Sequence, residues 1–299
     1  MPLATVFAFE PLMNDTSLPL HKQHQRSFST NKFVYPVLSR RSKGISIGVN
    51  LNPDKVCNFD CIYCQVDRRS EAETKFVETD QLLDEVDEML AHVASGEIYE
   101  SDKFREVPPN LRRLNDIAFS GDGEPTTFRN FDIIVKDVAA LKLKHGLDET
   151  KMVLISNASM FHRDSTKRAL EILDQNNGEI WAKLEVGTDE YYQLVERTKI
   201  PFRQVLDNIT DAARKRPLVI QSLFMKIHGD PPPANEIDAF CDRLNEITAS
   251  GGQIKLVQIY TVARQPAESF VAPLSNVEVD AIANTVTSHA GLPAEPFHS

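Results

Sequence analysis

Past its first three dozen residues, the chain alternates between two hydrophobic rhythms. Short runs of strand character, Ile45–Val49, Asp116–Ser120, Met152–Ser156, Ile180–Glu185, Leu218–Met225 and Lys255–Tyr260, are each followed by a stretch with helical spacing. Leu82, Leu83, Val86, Leu90 and Val93 recur at helical intervals between Asp80 and Ala94, with Thr79 as the expected N-cap. Further helices are predicted over 131–145, closed by Gly146, and over 165–174, 202–215 and 235–250, the last stopped by Gly251-Gly252. A final helix starts at the capping box Ser275-x-x-Glu278 and ends at Gly291.

Six strand-then-helix units predict an α/β fold with a parallel sheet and right-handed crossovers. The first strand lacks a G-x-G-x-x-G turn, so a curved or partly closed barrel is expected rather than a doubly wound dinucleotide fold. In such barrels, sites gather at the C-terminal ends of the strands. Residues 1–36 carry neither rhythm and read as a flexible arm, in which His21 and His24 are only a weak metal signal. The remaining 37–299 are expected to form one core domain.

The chemistry concentrates in one of those strand-end loops. Cys57, Cys61 and Cys64, three of the four cysteines, fall within eight residues as C-x3-C-x2-C. Thiolates select iron–sulfur clusters, zinc or copper(I). A structural zinc site wants four closed ligands, and the nearest later histidine is His92. A cubane cluster with three thiolate-bound irons and one open iron is therefore the simplest reading. Cys241, in a helical stretch, reads as a small core residue. The second loop, Ser120-Gly121-Asp122-Gly123-Glu124-Pro125-Thr126, is either a tight turn or a site that allows close backbone approach beside an anion.

Other candidates sit at strand ends. Ser156 and Asn157 could bind a cofactor or merely cap a loop. Lys183 and Glu185 share a strand face, as an ion pair or as ligand contacts. Gln221 with Met225, Gln258 with Tyr260, and Arg264 are weaker candidates for the pocket lining.

Composition trims the functional classes. Hydrophobic residues make up 41% of the chain, and no run approaches the length needed to span a bilayer. The opening Met1-Pro2-Leu3-Ala4 lacks a basic n-region, so a cytoplasmic protein is expected, in a compartment that keeps thiols reduced. A net charge of −10 argues against a protein devoted to phosphate backbones. The groups Lys32, Arg40, Arg41, Lys43 and Arg105, Arg112, Arg113 read as solvated faces.

The spacing C-x3-C-x-aromatic-C, with Tyr63 as the aromatic, resembles the signature of the radical S-adenosylmethionine (radical SAM) superfamily. That resemblance implies a partial (β/α)6 TIM-like barrel. It also implies a [4Fe–4S] cluster on Cys57, Cys61 and Cys64, and S-adenosylmethionine chelated to its fourth iron. Tyr63 would lie near the adenine, while Gly121, Gly123 and Glu124 would meet the methionine amino group. Here Asp122 departs from the family's GGEP pattern. Ser156, Asn157, Lys183 and Glu185 complete the expected cofactor contacts.

The implied activity is reductive cleavage of S-adenosylmethionine to a 5′-deoxyadenosyl radical that abstracts hydrogen from a substrate. The electron donor would be a flavodoxin or ferredoxin, and the substrate a small molecule, an RNA or a peptide. The wider pattern, from Ser39-Arg40-Arg41 to Gln258-Ile259-Tyr260-Thr261, resembles an iron–sulfur oxidoreductase group related to the wybutosine-pathway tRNA enzyme's catalytic domain. That brings RNA modification among the candidate reactions. Two departures from that enzyme are the acidic charge and the lack of cysteines before Cys57. The alternatives are a glycyl-radical activating enzyme or a non-enzymatic iron–sulfur or zinc protein.

Overall fold

The computed structural model describes residues 28–39, 41 and 44–298. Its elements, in chain order, are β1 (Val34–Ser39), β2 (Gly44–Val49), α1 (Thr79–Ser95), β3 (Leu114–Phe119), α2 (Phe131–Lys144), β4 (Lys151–Ser156), α3 (Asp164–Asp174) and β5 (Gly178–Lys183). There follow α4 (Asp189–Glu196), α5 (Phe202–Lys215), β6 (Leu218–Leu223), β7 (Met225–Ile227), α6 (Ala234–Ala249), β8 (Ile254–Tyr260), β9 (Val271–Pro273), α7 (Asn276–Ala290) and β10 (Ala294–Phe297).

The main sheet runs β1-β2-β3-β4-β5-β6-β8-β10. From β2 to β10 every pairing is parallel, and β1 alone adds on antiparallel to β2. β1 and β10 are not paired with each other, so the sheet curls without closing. Its curvature is visible in what shares the concave side. Tyr35, Ser46, Asp116, Val153, Trp181 and Phe297, from strands spread across the whole sheet, line one internal cavity.

Alternation along the strands builds the two faces of this sheet. In β3 to β6, Ala118, Val153, Trp181 and Val219 form a small apolar cluster of their own. Their strand neighbours Ile117, Leu154, Ile180 and Ile220 join the large core beneath the helices. The helices follow the same logic, since Leu82, Val86, Leu90 and Val93 of α1 form one buried stripe.

The predicted capping box is present at α7. Ser275 accepts from the Glu278 N–H, and Glu278 accepts from the Ser275 N–H at 2.6 Å. Those bonds, together with Lys226, hold the Glu278 carboxyl down to about 2. At α1 the N-cap is Glu78 without a side-chain cap, and Thr79 is the first helical residue.

The expected boundary at residue 36 falls inside β1, where Phe33 to Leu38 are buried. The start of this strand is held by the Glu85 carboxylate of α1, which accepts from the N–H groups of Lys32, Phe33 and Val34 at 2.8 to 3.1 Å. The rest of the expected arm, including His21 and His24, lies outside the described residues, as do Arg40 and Lys43. The strand expected over 218–225 breaks at Phe224, so Met225 opens β7 and does not share a strand with Gln221. Glu185 likewise lies two residues beyond the end of β5.

Candidate active site

The loop after β2 owes its shape to alternating side-chain destinations. Phe59, Ile62 and Tyr63 are buried, while the three thiols are half-exposed between them. The Phe59 ring meets Tyr192 edge-on at 6.1 Å, and Tyr192 in turn stacks on Phe202 at 4.8 Å. The loop's backbone is tied to the end of α4, with Asp60 N–H donating to Glu196 O at 3.1 Å and Ile62 N–H to Val195 O at 2.9 Å. Asn58 bridges to the turn after β4, donating to Ser159 Oγ at 2.8 Å and accepting from Asn157 at 2.9 Å.

These ties place Cys57, Cys61 and Cys64 on one wall of a cavity of about 240 Å³ at the C-terminal ends of the strands. Burial pushes the Cys57 thiol up. It pushes Cys61 up further, helped by the Glu196 carboxylate 2.8 Å away. Among the described residues no three His, Cys, Asp or Glu side chains converge to hold a single metal ion. Three soft thiol donors with no fourth Cys or His in the cavity lining suit a group that leaves one coordination position open better than a closed four-ligand zinc site.

The facing wall is the loop after β3. A Cβ on Gly123 would lie 2.2 Å from the Val56 carbonyl oxygen, and one on Gly121 would lie 2.1 Å from Asn50 Oδ1. Close approach of the two loops therefore demands both glycines. Asp122 needs no such exemption. Its carboxylate accepts from Asn50 Nδ2 at 2.7 Å, its N–H donates to Asn50 Oδ1 at 3.1 Å, and its φ is not positive. The departure from the family's glycine is absorbed by Asn50.

Glu124 is buried, and its Oε1 accepts from Thr126 N–H, Thr126 Oγ1 and Ser156 Oγ at 2.5 to 3.1 Å. Oε2 accepts from the Asn157 N–H at 2.8 Å. Burial raises this carboxyl above its ordinary value, and those hydrogen bonds oppose the rise. Ser156 therefore acts from behind Glu124 and does not line the cavity, whereas Asn157 does.

At the cavity's third side, Lys183 Nζ donates to Tyr63 Oη at 3.0 Å and lies 3.4 Å from Glu185. Tyr63 Oη donates to Glu185 Oε1 at 2.8 Å. Burial alone would lower the Lys183 ammonium, but Glu185 and the neighbouring acidic groups hold it well above its usual value. Burial and those same negative neighbours push the Tyr63 hydroxyl well up, so it stays protonated.

The expected site residues Tyr63, Gly121, Gly123, Glu124, Asn157, Lys183 and Glu185 thus share a cavity with the three cysteines. Tyr260 and Arg264 line it too, whereas Gln221 lines the adjoining lumen and Met225 and Gln258 line neither. Sequence reasoning missed Glu196, which follows no motif, and Asn50, whose pairing with Asp122 crosses 72 positions. Glu196 is buried, and its Oε1 has no hydrogen-bond partner. Arg41, read in the sequence as a solvated charge, instead sets its guanidinium 4.9 Å over the Tyr260 ring and 5.6 Å over that of Trp181.

Residues 51–240 match the radical SAM superfamily, and the chain belongs to that superfamily. The superfamily as a whole is one of S-adenosylmethionine-dependent radical chemistry. Among curated proteins the chain is 22% identical over 279 residues to one named GTPase Obg from Brachyspira hyodysenteriae, covering 91% of this chain and 36% of that protein. It is 25% identical over 142 residues to a UPF0026 protein of Helicobacter pylori, covering 46% and 39%. The chain thus spans well under half the length of these relatives. The sequence contains no G-x-x-x-x-G-K-[ST] motif.

The fold is shared with a radical SAM methyltransferase from Sphaerobacter thermophilus, at TM-score 0.62 and 10% identity over 89% of this chain and 69% of that one. It is also shared with TYW1 carrying a lysine-pyruvate adduct, at TM-score 0.50 and 14% identity over 83% and 74%. No described helix is long and apolar enough to cross a membrane.

Proposed function

We propose that Cys57, Cys61 and Cys64 hold a [4Fe–4S] cluster, and that the facing wall binds S-adenosylmethionine against it. The observation that carries this reading is the convergence of three soft thiol donors, a buried carboxylate and two close-approach glycines on one cavity of about 240 Å³. When bound, the cluster and cofactor supply the 5′-deoxyadenosyl radical, the hydrogen-abstracting agent of the superfamily. The chain's own residues orient and enclose. Oε1 of Glu124 is saturated by three donors, while Oε2 keeps lone-pair capacity for an ammonium. That suits the methionine amino group. Tyr63, fixed by Lys183 and Glu185, forms a rigid platform for the adenine.

Substrate would enter from the lumen, a second cavity of about 260 Å³ that shares Arg41, Ser120, Gly121, Lys183, Tyr260 and Arg264 with the first. Aromatic faces from Tyr35, Trp181 and Tyr260 suit a compact, partly planar molecule. The acidic chain, −10 overall, weighs against a large RNA footprint. A reducing cytoplasm would suit the thiols.

The test is anaerobic reconstitution with iron and sulfide, followed by dithionite and S-adenosylmethionine. Methionine and 5′-deoxyadenosine should appear together. A cluster-loaded protein that cleaves no cofactor would overturn the reading.

A further inference from the structure

On the outer side of the cysteine loop lies an open basin of about 500 Å³ that the proposed chemistry does not use. Lys55, Arg68, Arg197 and Lys199 line it, and the one acid of the lining, Asp60, pairs with Arg68 at 3.4 Å. The chain as a whole carries −10. The basin is thus a local reversal of sign on an acidic molecule. Next to these cations Val56 is 63% exposed, an apolar contact without cover among the described residues.

The basin's position is specific. Cys57, Phe59 and Arg68 line both it and the inner cavity, so they form the wall between solvent and the proposed cluster. This wall is stiff. Thr198 Oγ1 donates to Asn58 O at 3.0 Å, and Arg68 Nη1 donates to Phe59 O at 3.0 Å. Arg197 caps the C-terminus of α4 with a left-handed φ of 45°, and Glu268 pairs with it at 2.5 Å. Lys199 is exposed and makes no ion pair among the described residues.

We infer that this basin is the docking surface for an acidic one-electron donor protein that delivers its electron across the Cys57 wall. The inference rests on the cluster assignment proposed above. Electron transfer falls off steeply with distance, so a donor gains most by seating where the wall is one residue thick. In each encounter the donor's reduced cofactor is oxidised by one electron and the cluster is reduced by one, and no proton need cross. A positive basin facing an acidic partner steers association and loosens with salt, as suits a partner that must leave after each turnover. Encounters of this type bury little surface, so two lysines outside any ion pair among the described residues, Lys55 and Lys199, with two paired arginines and one apolar contact suffice. A polyanionic RNA would meet the same cations, but the basin's overlap with Cys57 favours the electron donor.

The test pairs Lys55→Glu/Lys199→Glu with the native chain and uses an acidic flavodoxin as the probe. First, binding of oxidised flavodoxin to the metal-free protein is followed by NMR titration at low and at physiological salt. The native chain should bind more weakly as salt rises, and the double variant should bind at least tenfold more weakly at low salt. This arm reads the surface whether or not the chain ever holds a cluster. Second, the reconstituted proteins are reduced with flavodoxin hydroquinone or with dithionite. The flavodoxin rate should fall at least tenfold in the variant, and the dithionite rate should not change. Equal flavodoxin binding and equal flavodoxin rates in both proteins would overturn the inference. So would loss of RNA retention in the variant with the flavodoxin rate intact.

Discussion

The two ends of the barrel treat buried charge in opposite ways. At the N-terminal end of the strands, Glu179, the second residue of β5, has both carboxylate oxygens engaged. Oε1 accepts from Trp181 Nε1 at 2.7 Å, while Oε2 meets Lys151 at 3.1 Å and also Lys255. At the same end, the fully buried Lys142 donates to the carbonyls of Asp148, Thr150 and Asn176 at 2.9 to 3.0 Å. At the C-terminal end, Glu185, Glu196 and Lys183 crowd around Cys61 and Tyr63, and one oxygen of Glu196 has no partner. Burial and the nearby Glu185 push Glu196 well up. Glu179 lies below its usual value, because the bonds from Lys255, Trp181 and Lys151 outweigh its burial. Charge that closes on itself holds the fold together, and charge left with spare capacity waits for a ligand.

The largest effect should come from breaking the upper end. Cys61→Ala is expected to abolish both iron loading and 5′-deoxyadenosine formation while far-ultraviolet circular dichroism stays unchanged. Retention of either activity would count against the assignment. At the lower end, Lys142→Met takes the donor from three carbonyls, that of Thr150 buried and those of Asp148 and Asn176 part-buried. The loss should be about 3 kcal/mol of folding stability, read as a lower urea midpoint, with cofactor binding intact in the folded protein.

Glu124→Gln should separate the two ends more finely. It removes the charge facing the cavity, and S-adenosylmethionine affinity by calorimetry should drop by about 2 kcal/mol, roughly thirtyfold. The smallest effect is one of sign. Glu179 has a lowered folded value, so its contribution is present above the ordinary carboxylate range and lost as pH falls through the folded value. Glu179→Gln should therefore cost about 1 kcal/mol at pH 7 and nothing in strong acid. Glu124, raised by burial, runs the other way, and its ionisation weakens the ligand-free fold as pH climbs from the ordinary carboxylate range through the raised value. Denaturation midpoints against pH for the native chain and both variants check both signs.

The same contrast explains what could be read from the sequence. The cysteine loop and the Gly121–Glu124 loop were legible because their chemistry is written in adjacent residues, and the six strand–helix units because their periodicity is local. β1 was hidden by Pro36, which an edge strand paired only with β2 tolerates. The eight residues of α4 gave too little periodicity to detect, and Glu196 was lost with it. The partnership of Asn50 with Asp122 and that of Arg41 with Trp181 and Tyr260 join residues far apart in the chain. Only the curled sheet brings them together.

The central claim is that one iron at the Cys57–Cys64 loop is left open for the cofactor bound by the facing wall. Electron paramagnetic resonance of the reduced, reconstituted protein, recorded with and without S-adenosylmethionine, tests it directly. The account predicts a [4Fe–4S] signal whose g-values shift when the cofactor is added, with the shift weakened in Glu124→Gln. A cluster signal that S-adenosylmethionine leaves untouched, or a protein that takes up zinc and no cluster, would contradict it.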